Sequence, residues 1–301
     1  MELSGILAVF QMPYDEGERI DYDTLGEEID WLFEQGADGL VMAMVSEVLR
    51  LSEGERREVA EFVVKVCDGR GPVVISVGAE SSRVACAYAR HAEEIGATAV
   101  MAIPPVSISA GEDELKRYYE RLLKEIQLPV IVQDASNYVG KPMPIKMQAG
   151  LWHKYGERVM FKPEAAPLGP RLTEMKDACG GGVKIFEGSG GIALVESFKR
   201  GISGTMPGSD LIKAIVALWR ALNSADKQRV DRIAPLLMAL ISMQDSLDSY
   251  LAIEKHLLVK QGVFKNTIVR GPVGYVLDDI TRREIDDLFG RLMAEIETEN
   301  G

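Results

Sequence analysis

Histidine and cysteine are scarce in this chain, with three of each among 301 residues. His91, His153 and His256 lie far apart, and none has HExxH or a similar spacing, so a zinc site built from protein ligands has no support. Cys67, Cys86 and Cys179 form no CxxC and leave an odd one over; they read as small buried hydrophobes in a reducing cytoplasm. Positive charge is short too. Lys and Arg number 34 against 46 Asp and Glu, a net charge of -12, which argues against a nucleic-acid surface or a basic membrane-docking face. No apolar run reaches the length a bilayer needs, and Glu2 with Ser4 spoils a signal-peptide reading. No GxGxxG follows the first apolar stretch, so dinucleotide binding has no support either. The stretch Gly188-Ser-Gly-Gly191 is glycine-rich but lacks the lysine and spacing of a P-loop. It reads as a tight turn into a helix.

What is present is an ordinary globular composition, 47% hydrophobic and 27% charged. Short apolar runs at 5–10, 39–44, 72–77, 99–103, 129–133, 159–162, 183–186 and 203–206 predict strands. Stretches with helical spacing at 21–35, 52–67, 81–95, 112–126, 144–155, 170–179 and 192–200 alternate with them, the second opened by a capping box at Ser52 and Glu55. The strands are apolar throughout, as parallel strands covered on both faces should be. Eight such units in about 225 residues fit a closed (β/α)8 TIM barrel. From 225 onward the pattern is helical, at 225–243, 247–262 and 281–297, with a linker carrying Gly271-Pro272. The division expected is a barrel over 1–224 and a helical region over 225–301 packed on it.

In such barrels the active site lies at the carboxyl ends of the strands. One strand end stands out. Residues 159–161 are an apolar run that delivers Lys162, followed at once by Pro163. Burying an ammonium is costly unless it is paired or gives up its proton, and a lysine so placed is a nucleophile towards carbonyl groups. A lysine that only snorkels out at the strand end would leave the same sequence. Glu47, Asp134, Glu164 and Glu187 also follow strands; any that faces the mouth can act as acid or base. Gln133 and Asp134 follow a fully apolar strand, so at least one of them should face the mouth.

Further stretches complete a pattern: Gly36-Ala-Asp-Gly39, Ser46-Glu47 with Leu51-Ser52, Gly96-Ala97, Leu128-Pro-Val-Ile131, Phe161-Lys162, Gly201-Ile-Ser-Gly204 and Lys255-His-Leu-Leu258. In order and spacing, over nearly its full length, the chain resembles the dihydrodipicolinate synthase / N-acetylneuraminate lyase family of class I Schiff-base lyases. The resemblance implies a (β/α)8 barrel with a C-terminal helical region and an imine between Lys162 and the keto group of a 2-oxo acid. It also implies no metal or organic cofactor, and a homotetramer or homodimer. Departures are plain. Where typical members carry Gly-Thr-Thr-Gly-Glu, this chain has Ala43-Met-Val-Ser-Glu47, so Met44 and Val45 occupy the threonine positions. Gln133-Asp-Ala-Ser136 replaces Tyr-Asn-x-Pro, no tyrosine stands near Pro104-Pro105-Val106, and Tyr138 takes the usual arginine's place. Without the tyrosine relay the synthase reaction itself is the weakest expectation.

Ser-Glu after strand two, Gln-Asp after strand five and Phe-Lys-x-Glu at strand six resemble the 2-keto-3-deoxyarabonate dehydratase-like members. The resemblance then implies dehydration or retro-aldol cleavage of a 2-keto-3-deoxy sugar acid. Expected catalytic residues are Lys162, Gln133, Asp134 and Glu164; expected substrate contacts are Val45, Ser46, Glu47, Ser136, Glu187 and Thr205. The competing reading is a catalytically silent barrel that binds a 2-oxo acid.

Overall fold

The computed structural model describes residues 2–136 and 141–297; Tyr138 lies outside them. Strands and helices alternate as β1 (Gly5–Val9), α1 (Tyr22–Gln35), β2 (Gly39–Val41), α2 (Glu53–Cys67), β3 (Val73–Ser76), α3 (Ser82–Glu94), β4 (Ala99–Ala102) and α4 (Glu112–Glu125). The series continues with β5 (Val130–Asp134), α5 (Ile145–Tyr155), β6 (Val159–Pro163), α6 (Leu168–Cys179), β7 (Phe186–Glu187), α7 (Leu194–Lys199), β8 (Gly204–Thr205) and α8 (Ile212–Asn223). All eight strands are parallel, in the order β6-β5-β4-β3-β2-β1-β8-β7. A bridge between Phe161 and Ile185, with Phe161 N–H donating to the Lys184 carbonyl at 3.1 Å, closes the ring. This is the (β/α)8 barrel expected.

Local chemistry sets the elements. Asp21 caps α1 by accepting from Thr24 N–H at 3.1 Å, and Gly36, at φ 100°, ends the helix in the left-handed region. Ser52 and Glu55 form the reciprocal capping box that opens α2. Strands seven and eight are only two residues each, shorter than the apolar runs suggested. Three successive glycines, Gly180 to Gly182, all at positive φ, precede β7 and leave Ile185 making only a single bridge. The sequence pattern did not delimit α8, whose residues Ile212, Ala214, Ile215, Val216, Ala217 and Leu218 are buried.

Strand alternation sorts the core into two layers. Leu7, Val9, Val41, Met101, Ile131, Met160 and Phe186 fill the barrel interior. Ala8, Leu40, Val100, Val130, Val132 and Phe161 point the other way, onto the helices. Three more helices follow: α9 (Lys227–Ile241), α10 (Leu247–Lys260) and α11 (Asp279–Glu297). α9 and α11 pack on α8 and on each other, whereas α10 lies against the loop after β2. Among the described residues no helix is long and apolar enough to cross a membrane.

Candidate active site

The same alternation selects the residues of the site. Ile131 and Met160 face inward, so Gln133 and Lys162, two residues on, face inward too; they are register partners on β5 and β6. Lys162 is 5% exposed and ends among polar groups. Its Nζ lies 3.0 Å from Glu164 Oε1, and Gln133 Nε2 donates to that same oxygen at 2.7 Å. Burial raises the Glu164 carboxyl above its ordinary value, opposed by the Lys162 ammonium and by hydrogen bonds from Lys162 and Gln133. The second oxygen, Oε2, is buried without a hydrogen-bond partner. A carboxylate in this state is prepared to take a proton.

These three side chains open into a cavity of about 30 Å³ at the carboxyl end of the barrel. Ala43, Met44 and Val45 wall one side, Gly188, Gly190, Met206 and Gly208 another, and Leu247 with Tyr250 of α10 close it from the tail. The volume holds roughly two waters. Backbone geometry adds donors. Residues Met44–Ser46 form a 3-10 turn whose own bonds use the N–H groups of Ser46 and Glu47. The N–H groups of Met44 and Val45 head that turn beside the cavity.

Of the ten residues singled out by sequence, Lys162, Gln133, Glu164 and Val45 meet at this cavity. Six are placed elsewhere. Asp134 pairs with Pro163, not Lys162, so it faces the helices, where it accepts from Ser136 N–H at 3.2 Å and Met143 N–H at 3.1 Å and lies 3.6 Å from Arg171. Ser136 sits on that same side loop, and its hydroxyl is buried without a hydrogen-bond partner. Ser46 donates its hydroxyl to the Phe10 carbonyl at 2.6 Å and accepts from Ala43 N–H at 3.1 Å. Glu187 follows the inward-facing Phe186 and so points outward, accepting from the Thr205 hydroxyl at 2.7 Å; it binds Ser189 as well. Thr205 is thereby turned away from the mouth along with it.

Glu47 joins the barrel to the tail instead. Lys255 of α10 donates to Glu47 Oε1 at 2.5 Å and to the Ile268 carbonyl at 2.5 Å, and its Nζ stands 4.6 Å over the Tyr14 ring. Both charged groups are fully buried. Desolvation outweighs the pairing on each side, raising the Glu47 carboxyl and lowering the Lys255 ammonium. One residue earlier on α10, Glu254 accepts from Ser209 N–H at 2.7 Å and from Gln11 Nε2 at 2.6 Å. Two further buried carboxylates complete this layer: Glu28, bonded to Gln11 N–H at 2.8 Å, and Asp210, bonded to Gln244 at 3.1 Å. Burial pushes Glu28 up to about 8 and Asp210 to about 7.

Sequence reasoning missed the two tail residues, Leu247 and Tyr250, and the glycines opposite them. The charged Glu254-Lys255 pair amid Leu251, Ile253, Leu257 and Leu258 was the available signal that α10 packs into something polar.

Comparison with known proteins agrees with the geometry. Residues 2–288 match the Dihydrodipicolinate synthetase family. A 4-hydroxy-tetrahydrodipicolinate synthase from Bartonella bacilliformis is 26% identical over 290 residues, spanning 94% of this chain and 96% of that protein. An L-2-keto-3-deoxyarabonate dehydratase from Azospirillum brasilense is 25% identical over 297 residues, 96% of this chain and 94% of that one. A prophage protein of the dihydrodipicolinic acid synthase family from E. coli K12, solved in complex with pyruvate, superposes with a TM-score of 0.89 at 21% identity, covering 97% of this chain and 99% of that one.

Proposed function

Because the chain belongs to the dihydrodipicolinate synthetase family, whose members are lyases, we propose that it dehydrates a 2-keto-3-deoxy sugar acid through an imine on Lys162. The observation that carries this reading is the buried contact of 3.0 Å between Lys162 Nζ and Glu164 in one cavity. Glu164 is the only carboxylate lining that cavity among the described residues. It therefore stands next to the carbon that joins the lysine, and so next to C3.

The steps use these groups in turn. Lys162 amine attacks the C2 keto carbon, and loss of one water gives the iminium, which acidifies C3. Glu164 removes a C3 proton, and the resulting enamine expels the C4 hydroxyl, which takes that proton back from Glu164 and leaves as water. Hydrolysis of the imine returns the amine and releases the product, one water lighter than the substrate. Gln133 holds the Glu164 oxygen in place for the proton transfer. The substrate carboxylate is assigned to the backbone N–H groups of Met44 and Val45. Retro-aldol cleavage would want its base at the C4 hydroxyl, farther from the lysine than Glu164 stands. The Azospirillum relative, named a dehydratase, supports the same choice; the synthase names among other relatives set the alternative.

The test is intact-mass spectrometry after borohydride reduction with pyruvate and with 2-keto-3-deoxy sugar acids. The wild type is expected to gain the mass of one reduced adduct, and Lys162→Ala none. A wild type that traps no 2-oxo acid would leave a silent barrel as the reading.

A further inference from the structure

The wall of the cavity made by Ala43, Met44 and Val45 begins where β1 and β2 part. The two strands run in register as far as Val9 and Val41. In a parallel ladder each residue bonds to the residues that flank its partner on the next strand. On the other edge of β2 this holds: Leu40 and Met42 N–H donate to the Pro72 and Val74 carbonyls at 2.9 Å, each one residue before its partner in the register with β3. Carried one rung further, the register of β1 with β2 sets Ala43 opposite Gln11 and the Ala43 N–H on the Phe10 carbonyl. The Ser46 hydroxyl stands in that rung instead. It accepts from Ala43 N–H at 3.1 Å and donates to the Phe10 carbonyl at 2.6 Å. One oxygen thus occupies the place of a direct contact of about 2.9 Å.

Ser46 is held where it can keep this gap. It is fully buried, and its hydroxyl has one proton to give, which goes to Phe10. Its backbone N–H closes the turn on the Ala43 carbonyl at 3.0 Å, so this one residue fixes both polar groups of Ala43. Glu47 follows in the left-handed region at φ 51°. Its N–H donates to the Met44 carbonyl at 2.9 Å, and its carboxylate is held by Lys255. Residues 43 to 45 are therefore pinned to β1 through Ser46 and to α10 through Glu47. Val9, the last residue of β1, lines the same cavity. The gap kept by the hydroxyl lies between two stretches of its wall.

We propose that Ser46 is a positioning residue: its hydroxyl holds β1 and β2 one rung apart and so sets the wall that receives the carboxylate end of a 2-oxo acid. The inference rests on Lys162 forming the imine and on the substrate carboxylate lying at Met44 and Val45. Without the hydroxyl, the Ala43 N–H and the Phe10 carbonyl lose their partner, and a buried polar group left unpaired is costly. The two satisfy each other by closing the rung, which draws Ala43 towards β1 and moves the wall with it. Lys162 and Glu164 belong to β6 and the residue after it, and β6 pairs with β5, not with β1 or β2. The amine and its carboxylate keep their places while the seat of the substrate carboxylate shifts.

The experiment measures borohydride trapping over a concentration series of pyruvate and of acetone, a ketone of the same chain length with no carboxylate. Wild type and Ser46→Ala are compared, with Lys162→Ala as the blank and circular dichroism as the check on folding. Ser46→Ala is expected to fold and to lower the preference for pyruvate over acetone about tenfold, the change one neutral hydrogen bond supplies. The loss should fall on half-saturation by pyruvate, with the trapping rate at saturation kept. Equal weakening for both ketones would make Ser46 a packing residue and overturn the proposal. An unchanged preference, or a Ser46→Ala chain that does not fold, would overturn it too. A wild type that traps neither ketone overturns the imine reading and this inference with it, so failure of one is told from failure of both.

Discussion

Replacing Lys255 by methionine tests how the tail is held to the barrel. Lys255 and Glu47 are both fully buried, 2.5 Å apart, and the ammonium has one other hydrogen-bond acceptor, the Ile268 carbonyl. Methionine matches the length of the side chain and fills its volume, so packing is largely kept. What is lost is the partner of Glu47 Oε1; the second oxygen has no hydrogen bond and lies 4.0 Å from Arg50. Removing one partner of a buried pair typically costs about 3–5 kcal/mol. For a chain of 301 residues that corresponds to a fall in thermal midpoint of roughly 5–8 °C. The double variant Glu47→Gln, Lys255→Met carries no stranded charge and should recover most of the loss. Thermal and urea unfolding followed by circular dichroism measure both. A Lys255→Met midpoint within 1–2 °C of wild type, or a double variant as unstable as the summed singles, would refute the reasoning.

Two other outcomes follow from the same structure. Burial raises the Glu28 carboxyl from 4.5 to about 8, so the folded state holds that proton more tightly than the unfolded one. Stability should be fullest below about pH 4.5 as far as this group is concerned, and decline as pH rises towards 8; Asp210, raised from 3.8 to about 7, acts in the same direction. Glu28→Gln should flatten this decline and raise stability at pH 8 by on the order of a few kcal/mol; a thermal midpoint with the same pH slope in wild type and variant would count against it. Gly188→Ala should fold, since its φ is ordinary, yet its methyl would lie 2.9 Å from Lys162 Cγ and from Glu164 Cγ. Borohydride trapping should fall at least tenfold with the circular dichroism spectrum unchanged; wild-type trapping would show that Lys162 and Glu164 shift without consequence.

Much of this was legible in the sequence, and the reasons differ by element. The eight apolar runs, the Ser52–Glu55 capping box and Lys162 were readable because each is a local signal. The facing of the site residues was readable in principle. Once Ile131 and Met160 are placed inside, period-two alternation sends Gln133 and Lys162 inward and Asp134 outward. Glu47 and Ser46 were a different case. Their partners, Lys255 and Phe10, are 208 and 36 residues away, and nothing local says which side chain will reach them. Tyr250 was illegible as well, since its neighbours Gly190 and Gly208 are 60 and 42 residues away along the chain.

The ceiling of the cavity has a place in time as well as in space. The chain is made from its amino end at about 5–20 residues per second, and Tyr250 and Lys255 come well after Lys162 in the sequence. Roughly 5–20 s of synthesis therefore separate the reactive amine from the helix that roofs it. Strands β7 and β8 and the glycines that wall the cavity are made within the same interval, so the lysine is walled before it is roofed. A chain clipped or stalled before residue 247 has its amine without the helix that roofs it.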